Sequence, residues 1–120
     1  MIPGDCAVYK TTPDGGVVTL YFSPGIPALS GRTPEEYRRE VAVSALDAVM
    51  ADDREDLRSF FRLAGRDHEC YYRLWNRDRS KGFAWMHIKG RRLGELDGCP
   101  VTLVIFLNSS QESELYQSLL

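Results

Sequence analysis

The sequence predicts an α+β domain, an antiparallel sheet of five strands with short helices packed on one face. Three observations carry this. Two β-rich runs flank a cluster of turn residues near the start, a block of helix signals occupies roughly residues 33–65, and the rest returns to aromatic and β-branched stretches. Strands, then helices, then strands is the order of an α+β fold and not of a strand-helix alternation. A chain of 120 residues suits one such domain.

The front pair is Cys6–Lys10 and Val17–Phe22. Between them lie Thr11-Thr12-Pro13-Asp14-Gly15-Gly16, residues that turn the chain, so the pair reads as a hairpin. Ser23-Pro24-Gly25 ends the second strand, because proline removes a ladder donor and glycine frees the backbone. Thr33-Pro34-Glu35-Glu36 is a capping box with proline at the first helical position, and Tyr37 and Val41 then share a face. Leu46, Val49 and Met50 continue the helical spacing. Asp52 is expected to cap a further helix, with Glu55 in the box position. Leu57, Phe60, Phe61 and Ala64 form its apolar stripe, and Gly65 its stop.

Three strands are expected after it. His68–Asn76 is rich in aromatics and leads into the polar loop from Arg77 to Gly82; Phe83–Leu93 alternates; Asp97-Gly98 turns the chain into Val101–Leu107, the strongest β run present. The tail from Ser109 reads as the start of a helix.

The strand faces carry more information than the strand positions. Ala84, Met86, Ile88 and Gly90 share one face and should meet the helices; Phe83, Trp85, His87 and Lys89 share the other. The last strand is apolar on both faces, with Thr102, Val104 and Phe106 against Val101, Leu103, Ile105 and Leu107. A half-exposed antiparallel strand should not look like that. Either a terminal segment of the same chain covers the outer face, or Trp85, Leu103, Ile105 and Leu107 form a contact surface for a second copy or a neighbouring domain.

No motif for catalysis is present. There is no C-x-x-C, H-E-x-x-H, G-x-G-x-x-G, P-loop or G-x-S-x-G, and His68 and His87 fall on separate strands. His87 is expected to be the more exposed of the two. Asp52, Asp53, Glu55 and Asp56 are read as anions at a helix start, where they oppose the dipole, and not as a magnesium site. Cys70 shares a strand face with His68, so a weakly activated thiol and a small core residue are both open readings. Arg77, Arg79, Lys81, Lys89, Arg91 and Arg92 lie around one predicted hairpin with Tyr71, Tyr72 and Trp75 nearby, a mix that can hold single-stranded nucleic acid, but the overall acidity favours reading it as a solvated hairpin end. A net charge of −2 argues against a nucleic-acid partner. Three scattered cysteines suit free thiols in a reducing compartment. The longest apolar run is far too short to span a bilayer, and the start lacks a leader pattern. A cytoplasmic location without membrane contact is the expectation.

Several short motifs, in order, resemble the PAS family of sensory domains. Tyr21-Phe22-Ser23-Pro24-Gly25 and Leu29-Ser30-Gly31-Arg32-Thr33-Pro34-Glu35-Glu36-Tyr37 resemble its front half, where a strand ends in S-P and leads to L-x-G-[YR]-[ST]-P-E-E. Asp52-Asp53-Arg54 resembles its H-P-D-D-R helix start, with Met50 and Ala51 in place of His-Pro. Tyr72-Arg73-Leu74, Trp85-Met86-His87 and Asp97-Gly98-Cys99-Pro100 resemble the back half, and Leu107-Asn108-Ser109-Ser110 stands where D-I-T closes the domain. The resemblance covers residues 4–110 and leaves 111–120 as the start of a C-terminal linker helix.

It implies sheet order 2-1-5-4-3 and a sensing-and-relay role inside a larger bacterial signalling protein, ahead of a histidine kinase or a cyclic-di-GMP enzyme on the same polypeptide. It also implies a homodimer through the outer sheet face or flanking helices. The family's pocket would be lined here by Leu57, Phe60, Phe61, Met86, Ile88, Val104 and Phe106, and would take a small apolar or aromatic molecule. The same residues are equally those of a filled core, which would leave a purely structural interaction domain. No cofactor is expected: the N-C-R-F-L-Q motif of the flavin branch is absent, and Arg54–Ala64 offers no histidine for haem.

Overall fold

In the computed structural model, residues 5–42, 44–63 and 68–107 are described. The front hairpin forms as the turn residues dictate. Strands β1 (Asp5–Thr11) and β2 (Val17–Phe22) pair antiparallel. The turn is closed by Thr12 N–H on the Gly16 carbonyl (2.9 Å) and Gly15 N–H on the Thr12 carbonyl (3.0 Å). Gly15 adopts φ +86°, a conformation that side chains with a Cβ resist.

Helix α1 (Gly25–Ala28) is a single turn. Helix α2 (Pro34–Glu40) starts on the expected capping box: Glu36 N–H donates to Thr33 Oγ1 (3.2 Å) and Thr33 N–H to Glu36 Oε1 (3.0 Å). The expected helical continuation at Leu46–Met50 does not form. Ala45–Ala48 is a 3₁₀ turn capped by Ser44, and Val49 is extended, bridging Leu74. Asp52 is not a helix cap either. It lies inside a 3₁₀ turn (Ala51–Asp53) that runs directly into helix α3 (Arg54–Leu63), and Met50 precedes that turn without a side-chain cap. The acidic side chain used there is Asp53, which reaches sideways to Arg73. Leu57, Phe60 and Phe61 are buried as their spacing required; Ala64 and Gly65 lie outside the described residues, as does the tail beyond Leu107.

Strands β3 (His68–Trp75), β4 (Phe83–Leu96) and β5 (Cys99–Leu107) complete one five-stranded antiparallel sheet of order β2-β1-β5-β4-β3. The Asp97-Gly98 turn joins β4 to β5, with Asp97 at φ 54° and Gly98 at φ 77°. The inner face carries Ala7, Tyr9, Tyr72, Leu74, Met86, Ile88, Val104 and Phe106 against Ile26, Tyr37, Leu57, Phe60 and Phe61, one continuous buried core. Gly90 belongs to this face because nothing larger fits: a Cβ there would lie 2.5 Å from Phe60 Cζ.

Candidate functional site

Two places carry the sequence's candidate residues, the space between sheet and helices and the outer face of the sheet. The first is nearly full. Leu57, Phe61, Ile88, Val104 and Phe106, with Tyr9, Tyr37 and Tyr72, enclose a void of only about 10 Å³. A space of that size holds a single water molecule at most. Phe60 and Met86, also expected to line a pocket, are buried in the core beside it. Phe61 closes the space by edge-to-face contacts with Tyr9 (centroids 5.3 Å apart) and Phe60 (5.1 Å). Burial raises the hydroxyl pKa of Tyr9 and Tyr72 well above the usual tyrosine value, so both stay neutral in this dry interior.

The outer face is built by strand alternation. β5 presents Val101, Leu103, Ile105 and Leu107, all half-buried. Leu107 stands opposite His87, Ile105 opposite Lys89 and Cys6, and Leu103 opposite Arg91 and Val8. Towards β3 the face becomes aromatic: Tyr71 is 58% exposed, Trp85 52% and Phe83 44%. Trp85, Leu103, Ile105 and Leu107 therefore share one face, on which the β5 residues form an apolar row flanked on β4 by His87, Lys89 and Arg91, with the aromatics beyond its Leu107 end.

His87 lies on this face but is buried, contrary to the expectation of exposure. Its ring stacks on Tyr71 (centroids 4.1 Å, planes 13° apart), and Glu69 Oε2 lies 3.4 Å from its Nε2. Cross-strand register explains the difference, since Tyr71 sits directly opposite and covers the imidazole.

One feature that the spacing did not disclose ties this face to the helices. Arg73, at the edge strand β3, reaches around the edge to Asp53 at the head of α3. Its Nε and Nη2 donate to the Asp53 carboxylate (2.9 and 2.7 Å), and its backbone N–H donates to the same group (2.7 Å). The guanidinium also lies 5.4 Å from the Trp85 ring centroid and 5.8 Å from that of Phe83. The Arg73 hydrogen bonds hold the Asp53 carboxyl below its usual pKa. The acidic group at the helix start is thus a partner for a strand. Among the described residues no group of three metal-ligating side chains converges.

The other candidates separate. Cys70 faces the core, where burial first, then Asp56 and Asp53, push its thiol up to about 11, so it is not activated. The basic residues do not gather around one end. Arg77 pairs with Glu36 and Arg79 stacks over Trp75 (4.9 Å) by the loop, whereas Lys89, six residues along β4 from Phe83 and so roughly 20 Å away, lies 3.8 Å from Glu69. Arg32 was not singled out by sequence. Its guanidinium is buried, donating to Glu40 (Nη2 to Oε1, 3.0 Å) and to the Trp75 carbonyl, which locks the entry of α2 to the end of β3.

The sheet order and helix placement are those of several solved structures. The N-terminal domain of a diguanylate cyclase with a PAS/PAC sensor from Marinobacter aquaeolei matches with a TM-score of 0.59 at 20% identity, covering 90% of this chain and 98% of that one. A PAS domain from Desulfitobacterium hafniense matches at 0.53 and 20%, covering 90% and 94%. The chain has the PAS fold. The LOV domain of a blue-light activated histidine kinase from Erythrobacter litoralis is also similar, at 0.58 and 14% identity, covering 91% and 98%. No protein-family model matches the sequence, and no curated protein does.

Among the described residues no helix is long and apolar enough to cross a membrane.

Proposed function

We propose that this domain is a regulatory contact module of a larger signalling protein. It associates with a second copy through the outer face of its sheet and passes the state of that contact to an output domain on the same polypeptide, a histidine kinase or a cyclic-di-GMP enzyme. The observation that carries the reading is the outer face itself, with a row of half-buried Leu103, Ile105 and Leu107 and, diagonal to its Leu107 end, a tryptophan that is 52% exposed. An apolar row with an exposed aromatic at its end suits an interface, tryptophan is a frequent energetic anchor in one, and a patch that meets its own copy closes a two-fold dimer.

Arg73 gives the contact a route inward. It touches Trp85 on the outer face and holds Asp53 at the head of α3, so repacking of Trp85 against a partner changes the environment of a group that positions the helix layer. The reading assigns no chemistry to this chain and puts it in the cytoplasm. The closed core favours a second reading, a purely structural interaction domain without a ligand. Ligand sensing between sheet and helices, by contrast, requires Phe60 and Phe61 to move aside.

Native mass spectrometry of the purified chain tests these readings together. A dimer of the 13.6 kDa chain without added mass is the expected result. A strict monomer overturns the contact reading, and a co-purifying small molecule reinstates ligand sensing.

A further inference from the structure

The two edges of the sheet are treated differently. At β3 the edge is covered by the chain itself: Met50 N–H donates to the Arg73 carbonyl (2.9 Å), the Asp53 carboxylate accepts the Arg73 N–H, and Val49 bridges Leu74. At β2 the edge is open. The Val17 N–H points away from β1, to Ser44 Oγ (3.5 Å), and strand alternation sends the Thr19 backbone groups the same way. Among the described residues no backbone group pairs with Thr19, Leu20 or Tyr21 on that side.

The sequence of β2, Val-Val-Thr-Leu-Tyr-Phe, carries no charge and no proline, residues that ordinarily protect an exposed edge, and the one irregularity along it is the register shift that leaves Leu20 without a partner on β1. Leu20 is 42% and Tyr21 46% exposed. Beside this edge runs a groove of about 390 Å³, walled by Leu20, Tyr21, Phe22, Val41 and Ala42. Two polar groups in its lining lack partners of the right kind. The Thr19 hydroxyl is buried without a hydrogen-bond partner. Arg38 lies over the Phe22 ring (5.5 Å) and has no carboxylate partner among the described residues.

We propose that β2 is a docking edge for an extended peptide segment of another protein, which adds as a sixth strand and places an acidic side chain against Arg38. Main-chain hydrogen bonds to the open edge would hold such a strand, and its alternate side chains would enter the groove. The acid follows from the exposed Arg38 guanidinium, which has no carboxylate partner among the described residues, and a polar side chain of the same strand would satisfy the Thr19 hydroxyl. This inference is independent of the outer-face contact, since it uses the edge of the sheet and its helix side.

The test is a ¹⁵N NMR titration of the chain with two capped heptapeptides, T-V-E-V-T-V-T and its lysine counterpart T-V-K-V-T-V-T. The expected result is saturable shifts of the Val18–Phe22 amides, with the glutamate peptide bound at least about tenfold more tightly, the worth of one hydrogen bond to a charged group. Arg38→Glu, an exposed change that leaves the rest of the spectrum in place, should invert the preference. Equal affinity for the two peptides, or no shift at β2 with millimolar peptide, overturns the proposal. Shifts at Thr19–Phe22 that depend on protein concentration without peptide also overturn it, assigning the edge to a second copy.

Discussion

Replacing Phe61 by alanine probes whether the core is filled. Phe61 is 3% exposed, packs edge-to-face on both Tyr9 and Phe60, and borders the small void between sheet and helices. Truncating a phenylalanine in such a site costs about 3–5 kcal/mol, because the surroundings relax only partly into the void. For a chain of 120 residues, with an unfolding entropy of about 250 cal/mol/K, the melting temperature should fall by roughly 12–20 °C. Thermal and urea denaturation followed by circular dichroism read this directly. The void should also be dry and apolar, so saturating benzene or indole should raise the melting temperature of Phe61→Ala and leave that of the wild type unchanged. A loss below about 1 kcal/mol would mean that the ring is not a filler of the core. Stabilisation of the wild type by either probe would mean that the native core already admits a ligand.

Three further outcomes are expected. Gly90→Ala should destabilise the fold by about 1–3 kcal/mol, since its Cβ would lie 2.5 Å from Phe60 Cζ, and Phe60→Leu should recover part of the loss in the double variant. Asp53→Asn should lower stability at neutral pH. The folded carboxyl titrates below its usual value because Arg73 binds it, so its contribution is complete above the unfolded pKa near about 4 and fades as pH falls through the folded value. Urea midpoints of the two proteins should therefore converge in acid, and a gap that persists unchanged at low pH would contradict the assignment. Cys70 should resist alkylation at pH 8 and react progressively faster up to about pH 11, in line with its raised thiol pKa; peptide mapping after timed iodoacetamide treatment measures this.

Elements marked by local chemistry were legible in the sequence. The turn at 11–16 and the capping box at Thr33 satisfy their own backbone groups, and the Asp97-Gly98 turn takes the positive φ angles that its residue types favour, so neighbours in sequence suffice to identify them. The inner and outer faces of β4 and β5 followed from alternation alone, which is why Trp85, Leu103, Ile105 and Leu107 fall on one surface. What was not legible depends on partners distant in sequence. Val49 is extended because it bridges Leu74, and Asp53 serves Arg73, twenty residues on. His87 is covered by Tyr71, a residue met only once the register is known. Whether the pocket candidates leave a cavity depends on how completely Phe60 and Phe61 fill it, a matter of volume that periodicity does not encode.

The account rests most heavily on the outer face of the sheet. Sedimentation equilibrium of the wild type and of Ile105→Glu, at concentrations spanning the micromolar range, tests it most directly. A charge at the centre of that face leaves the core untouched, so circular dichroism of the variant should match that of the wild type. The prediction is a wild-type dimer and a folded, monomeric Ile105→Glu. A wild type that stays monomeric throughout, or a variant that dimerises as well as the wild type, would contradict it.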